Sequence, residues 1–359
     1  MNKQEPSNVI RVESIDYLRG LAAFSVMAYH MVMFTYGEVS ASSIFAKFKI
    51  YGVSIFYILS GITLYIVYIN RLKFTKSNLL GFYVKRFFRL VPLLWLATIL
   101  TLAFQFTPDM VSIKKIILNS TVILGAIRPD AFIASGAWSI GNEIFFYLFF
   151  PLIIFACRKN TIYLFIILST FFVVLLYFAF EYLDPKVPLG QQWSKYVNPL
   201  GQIFYFVLGI TIGKLSGYLE KNNKMFLSVL ILTCILFYIY TAPGEPIALV
   251  TGWARVVLSF YTLLICVSFY KIEFDGVVSW FRNILQFLGD ISYSLYLLHP
   301  IVYFLIKSLL NKMDLDSSIL LISSTVIFAP LAAFLSYNYF EKYFINVGKK
   351  LYEKIQAKL

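Results

Sequence analysis

Apolar stretches of roughly 20 residues recur along the chain, separated by short polar segments, and that is the length of helix that crosses a bilayer. Ten stretches predict spans: Ile15–Tyr36, Ile50–Ile69, Phe87–Phe106, Trp138–Cys157, Tyr163–Phe180, Leu200–Leu219, Met225–Tyr240, Ile247–Tyr270, Leu285–Leu309 and Ile319–Phe340. Ile116–Ile127 is too short to span and reads as a re-entrant or interfacial helix. An even number of spans puts both termini on one side. On that side fall 20 of the 31 Lys and Arg, against nine on the other, with Arg19 and Arg255 inside the spans. The richer side is cytoplasmic by the positive-inside rule, so both termini are expected in the cytoplasm.

Composition strengthens this reading. Of 359 residues, 60% are hydrophobic and 14% charged, well outside the range of soluble domains. The net charge of +13 would suggest a nucleic-acid partner in a soluble chain. Here the basic residues lie between apolar blocks, so no nucleic acid is expected, and membrane lipids are the expected surroundings. Cys157, Cys234 and Cys266 are odd in number and have no metal-type spacing, so neither a disulfide framework nor a metal is expected. The first block carries Arg19 and His30 and lacks a following cleavage signal, so it is expected to be retained. There is no internal repeat and no linker to a second domain. The expected organisation is one membrane domain over residues 1–345 and a basic cytoplasmic tail over 346–359.

Ionisable residues inside spans are costly, about 2.5–3.5 kcal/mol each at mid-bilayer, and usually face a partner or a polar cavity. His30 lies about 22 Å from the cytoplasmic start of its helix, Glu143 about 8 Å below the outer edge, and His299 again in the outer third. Both histidines and one carboxylate therefore share an expected level. Arg19 lies three residues after Asp16, within pairing distance on a helix. Lys85, Arg86 and Arg89 mark the cytoplasmic mouth of the third span, and planar guanidinium forks there suit phosphate groups. Plainer roles stand beside these: Arg86 and Arg89 touching lipid phosphates, Arg19 snorkelling, His30 and Glu143 in structural hydrogen bonds. His299, before Pro300, is expected either to hold a backbone group freed by the proline or to act in a site. Asp290 reads as a cap or dipole partner, and Arg255 as a partner of a carboxylate or of substrate.

The segments "DYLRGLAAFSVMAYH" at Asp16–His30, "RFFR" at Arg86–Arg89, "WSIGNEIFFYLFFP" at Trp138–Pro151 and "SYSLYLLHP" at Ser292–Pro300, in this order on ten spans, resemble the acyltransferase-3 family of integral-membrane acyltransferases. Gly141–Asn142 departs from the family's usual residues before the glutamate. The resemblance, to the membrane-only form, implies an all-α polytopic enzyme. It would transfer an acyl group, commonly acetyl, from cytoplasmic acyl-CoA to a hydroxyl of an envelope glycan or lipid-linked sugar, in the bacterial inner membrane. It implies His30 as the essential histidine, Glu143 as the acid, and Arg19, Arg86 and Arg89 as donor-binding residues. Trp138, His299 and Arg255 are the expected acceptor-binding residues.

These expectations combine into a mechanism. The arginines hold the anionic donor, His30 accepts the hydroxyl proton or carries the acyl group transiently, and Glu143 orients His30. A flippase for a lipid-linked sugar is the competing class, although the inverted repeats and broken helices common in transporters are not evident. A non-catalytic scaffold would leave the shared depth of the ionisable residues without a cause.

Overall fold

The computed structural model describes residues 12–105, 112–121, 128–220 and 222–356. All regular structure among them is helical: α1 (Glu13–Tyr36), α2 (Ile44–Tyr68), α3 (Lys76–Phe104), α4 (Ile113–Thr121), α5 (Ala137–Lys159), α6 (Thr161–Tyr177), α7 (Ile203–Leu215), α8 (Asn223–Ile239), α9 (Gly252–Lys271), α10 (Ser279–Lys312), α11 (Ser318–Leu335) and α12 (Lys342–Gln356), with a single α-helical turn at Trp193–Tyr196 and short 3-10 and π segments between some of them. Eight of the described helices are long and apolar enough to cross a membrane, counting α6 with its extension to Tyr182 and α11 with its continuation to Gln356. The shorter apolar helices α7 and α8 complete the set, so each expected span coincides with a helix. The chain is an all-α, multi-pass membrane protein.

Boundaries follow local chemistry that hydropathy does not register. Ser43 accepts a hydrogen bond from the Phe45 amide and starts α2 six residues before the expected span. Thr75 caps α3 by accepting from Asn78, so Lys85, Arg86 and Arg89, expected at the mouth of the span, lie about two and a half turns or more inside the helix. Helix α10 has 34 residues, about 51 Å, and extends beyond a hydrocarbon core of about 30 Å. Asp290, expected near a helix start, therefore sits about three turns inside it. Of Ile116–Ile127, residues 122–127 lie outside the described residues, and α4 accounts for the rest. The segment expected as a basic tail is largely helix α12, which packs on α3.

Helices α1, α2, α7 and α10 form the centre. Every residue of α7 from Ile203 to Gly213 is buried, which is why 13 residues without an amphipathic face form a stable element. Leu152 of α5, Val173 of α6, Ile231 of α8 and Ile327 of α11 are more than half exposed on the periphery. Apolar surface on this scale suits lipid rather than water. Helix α1 crosses α10 closely: a Cβ on Gly20 would lie 2.6 Å from the Gly289 backbone, and one on Gly289 2.5 Å from the Asp16 backbone. Small residues let membrane helices approach this closely. The crossing sets how Arg19 and His30 of α1 face the "SYSLYLLHP" segment of α10.

Candidate active site

Helix α2 forms one wall of a cavity of about 1050 Å³, which runs about 18 Å along it from Tyr68 to Phe56. Its polar residues hold the opposite wall in layers. Thr63 accepts from Arg19 at 2.7 Å, while the same guanidinium bonds the Leu59 carbonyl at 3.2 Å and Asp16 at 3.1 Å. One turn further, Ser60 donates to Glu143 at 2.6 Å, and the Tyr147 hydroxyl bonds the same carboxylate oxygen. At the far end the rings of Phe56 and Tyr296 meet at 5.5 Å, and Ser139 donates to the Tyr296 hydroxyl at 2.8 Å.

The charge on this surface is one-sided. Seven Lys or Arg line the cavity (Arg19, Arg71, Lys85, Arg86, Arg89, Lys342 and Lys349), against Asp16, Glu143, Asp290 and Glu341. Clustered cations in a low-dielectric cleft concentrate anions. Arg86 sits between aromatic faces, 5.7 Å from the Tyr68 ring and 6.0 Å from the Tyr147 ring. Its Nε is buried and has no hydrogen-bond partner among the described residues. An unmade bond on a buried cation costs free energy, and a ligand's phosphate oxygen would supply it.

The two histidines are in direct contact. His30 Nδ1 is 2.8 Å from His299 Nε2, and His299 Nδ1 is 2.8 Å from the Leu295 carbonyl. A carbonyl only accepts, so the partners assign the proton of neutral His299 to Nδ1. Its Nε2 then accepts, His30 donates from Nδ1, and the lone pair of His30 is on Nε2. His299 is 1% exposed, whereas His30 is only part-buried. Neither lines the cavity. Tyr296, which does, lies 6.5 Å ring to ring from His299.

Three expectations change. Glu143 is not the partner of His30; that place is taken by His299. Counting one turn from Ser139 to Glu143 and three residues from Tyr296 to His299, Glu143 lies about 10 Å from the histidines along the membrane, on the arginine side. Arg255 does not reach the cavity: it is 2% exposed and donates to the carbonyls of Gly201, at 2.7 Å, and Val250, at 3.4 Å. His299 holds the Leu295 carbonyl and also reaches the carbonyl of Tyr296, the one that Pro300 leaves without its helical partner. Trp138 is also outside the cavity, edge-on to Trp193 at 5.6 Å. Trp193 in turn lies under the Lys49 ammonium at 5.7 Å, and Lys49 is 5.1 Å from the ring of Tyr29, the residue before His30. Trp138 therefore belongs to an aromatic group beside the histidines.

Sequence reasoning missed Ser60, Thr63, Tyr147, Tyr293 and Glu341 on the cavity wall. Tyr147 follows Glu143 by four residues, so helical spacing alone places the two together. Glu341 falls just past the last apolar block. There the helix widens into a π turn over Ser336–Glu341, a feature frequent at functional sites, and Glu341 is buried against Ser294.

The cationic cavity and the paired imidazoles lie in one membrane-embedded helical bundle. The chain belongs to the acyltransferase-3 family, whose acyltransferase domain matches residues 12–338. It is 28% identical over 293 residues to the putative acetyltransferase ORF330 of Acidianus two-tailed virus, covering 79% of this chain and 81% of that protein. It is 25% identical over 355 residues to the peptidoglycan O-acetyltransferase OatA of Listeria monocytogenes, covering 89% of this chain. The chain spans about half (54%) of the Listeria protein's length. No solved structure matches. Among the described residues, no group of three or more His, Cys, Asp or Glu side chains is placed to hold a metal ion.

Proposed function

We propose that this enzyme moves an acetyl group from cytoplasmic acyl-CoA to a hydroxyl of a cell-envelope glycan or its lipid-linked precursor, in a bacterial inner membrane with both termini cytoplasmic. The observation that carries the reading is the pairing of His30 with His299 one aromatic layer beyond a cleft in which a buried arginine nitrogen lacks a partner. The Listeria relative's name, with peptidoglycan as its acceptor, supports the same acceptor class.

In this reading Arg86 and Arg89 hold the donor diphosphate, and Arg19 braces the pantetheine arm. Glu143, fixed by Ser60 and Tyr147, keeps the arginines apart and balances their charge. The thioester passes Phe56 and Tyr296 to reach His30. His30 Nε2 takes the proton of the acceptor hydroxyl as its oxygen attacks the thioester carbonyl. The tetrahedral intermediate collapses, the C–S bond breaks and CoA leaves as thiolate, which the imidazolium protonates. His299 orients His30 through Nδ1, as the carboxylate does in a Ser-His-Asp triad, but as a neutral acceptor. Trp138, with Trp193, offers an aromatic face to the incoming sugar.

The test uses membrane vesicles with and without the protein, supplied with acetyl-CoA radiolabelled in the acetyl group. The reading predicts label in envelope glycan only where the protein is present. Movement of a lipid-linked sugar without label transfer would replace it with the flippase reading.

A further inference from the structure

We propose that the carboxy-terminal helix α12 forms a subsite for the nucleotide end of acyl-CoA, with Tyr352 stacking on the adenine and Lys349 pairing with the 3′-phosphate. The proposal rests on the donor reading above and extends it to a part of the chain beyond residue 338, where the family match stops.

Helix α12 is built to dock. A Cβ on Gly81 of α3 would lie 2.0 Å from Cε2 of Tyr352, so the Tyr352 ring fills the space that a side chain would take. A Cβ on Gly348 of α12 would lie 2.6 Å from Cβ of Phe88. Each helix thus offers a glycine to an aromatic ring of the other. With α12 seated, Ile345, Lys349 and Tyr352 line the same cavity as Arg86 and Arg89. The Lys85 ammonium lies 4.3 Å from the Tyr352 ring, bringing a second cation to the same end. Lys349 is exposed and Tyr352 part-exposed, as a solvent-side binding position requires.

Position along the cavity selects the ligand part. Tyr352 rests on Gly81, about 7 Å along α3 from Arg86 and about 12 Å from Arg89. The ring therefore marks the mouth end, and the arginine pair lies deeper. An acyl-CoA that enters thioester first reaches these groups in a fixed order: thioester deepest, diphosphate at Arg86 and Arg89, adenosine 3′-phosphate last. An aromatic ring with one ammonium group over it and a second lysine lining the same cavity matches a purine that carries a phosphomonoester. Stacking on an aromatic ring is insensitive to base identity, so the charge of Lys349 and Lys85 would supply the preference for the 3′-phosphate.

The experiment titrates CoA, 3′-dephospho-CoA and S-acetyl-phosphopantetheine into the full-length protein in lipid nanodiscs. Wild type is expected to bind CoA more tightly than 3′-dephospho-CoA. Lys349→Ala should weaken CoA roughly tenfold and leave 3′-dephospho-CoA unchanged. Tyr352→Ala should weaken both nucleotides roughly tenfold and leave S-acetyl-phosphopantetheine unchanged. Gly81→Ala, which displaces the ring without removing it, should repeat the Tyr352→Ala pattern. Wild-type affinity for CoA in Lys349→Ala and Tyr352→Ala would overturn the subsite and leave the donor reading standing. Absence of CoA binding by wild type would overturn both. Altered sedimentation with anionic vesicles, with nucleotide binding intact, would assign α12 to lipid headgroups and overturn the proposal.

Discussion

Arg255 and Arg86 are both arginines on membrane helices, and the structure treats them in opposite ways. Arg255 spends its donors on the Gly201 and Val250 carbonyls. Other cations do the same at helix ends. Lys47 donates to the Phe237 and Tyr238 carbonyls at 2.7 and 2.8 Å, closing α8. Lys271 donates to the Ser216 and Leu219 carbonyls after α7, and Arg158 to those of Tyr68, Ile69 and Leu72 after α2. The last turn of a helix leaves carbonyls without partners and carries a negative partial charge, so a cation there is structural. Arg86 has no such backbone clamp on its Nε, which is buried beside a cavity. A charge inside a membrane therefore marks a site most clearly where the fold leaves one of its donors without a partner, as it leaves Arg86 Nε.

That contrast can be broken from either side. The largest effect belongs to His30. His30→Ala is expected to lower acyl transfer by about 10²–10⁴-fold with normal membrane insertion, since a general base contributes on that scale. Labelled-acetate incorporation measures it, and near-wild-type transfer would remove His30 from the chemistry. Arg86→Met should raise the KM for acetyl-CoA by about 10- to 100-fold and leave thermal stability nearly unchanged, because charge-assisted bonds to a ligand are lost. Arg255→Met should show the reverse: about 1–3 kcal/mol less stable as two carbonyls lose a buried donor, with an unaltered KM. Thermal unfolding in detergent, set beside kinetics, separates the two. His299→Gln, which keeps an acceptor for His30 Nδ1, should lower kcat by less than tenfold and leave KM unchanged, whereas His299→Ala should lose more. Equal loss in both variants would argue against a positioning role.

The helices were legible because bilayer-length apolar blocks are nearly sufficient to define them. Their true ends were not. Ser43 and Thr75 extend α2 and α3 through polar positions, and Lys47 is carried into the protein by carbonyls supplied from α8. The ordered motifs around His30, Glu143 and His299 named most of the residues that matter to the site's description. Which of them touch was not readable, since it depends on the Gly20–Gly289 crossing that brings α1 and α10 together. Periodicity placed Glu143 level with the histidines by counting from an assumed membrane edge. The hydrogen bonds of Ser60 and Tyr147 place it about two turns nearer the arginines. Arg255 was indistinguishable from a substrate ligand until its carbonyl partners were known.

Calorimetric titration of CoA into three purified proteins addresses the central claim most directly: wild type, the Arg86→Met/Arg89→Met double variant and Arg255→Met, each first shown to be folded. The account predicts that the double variant loses measurable binding and that folded Arg255→Met binds as wild type does. Binding retained by the double variant, or lost equally in Arg255→Met, would contradict it.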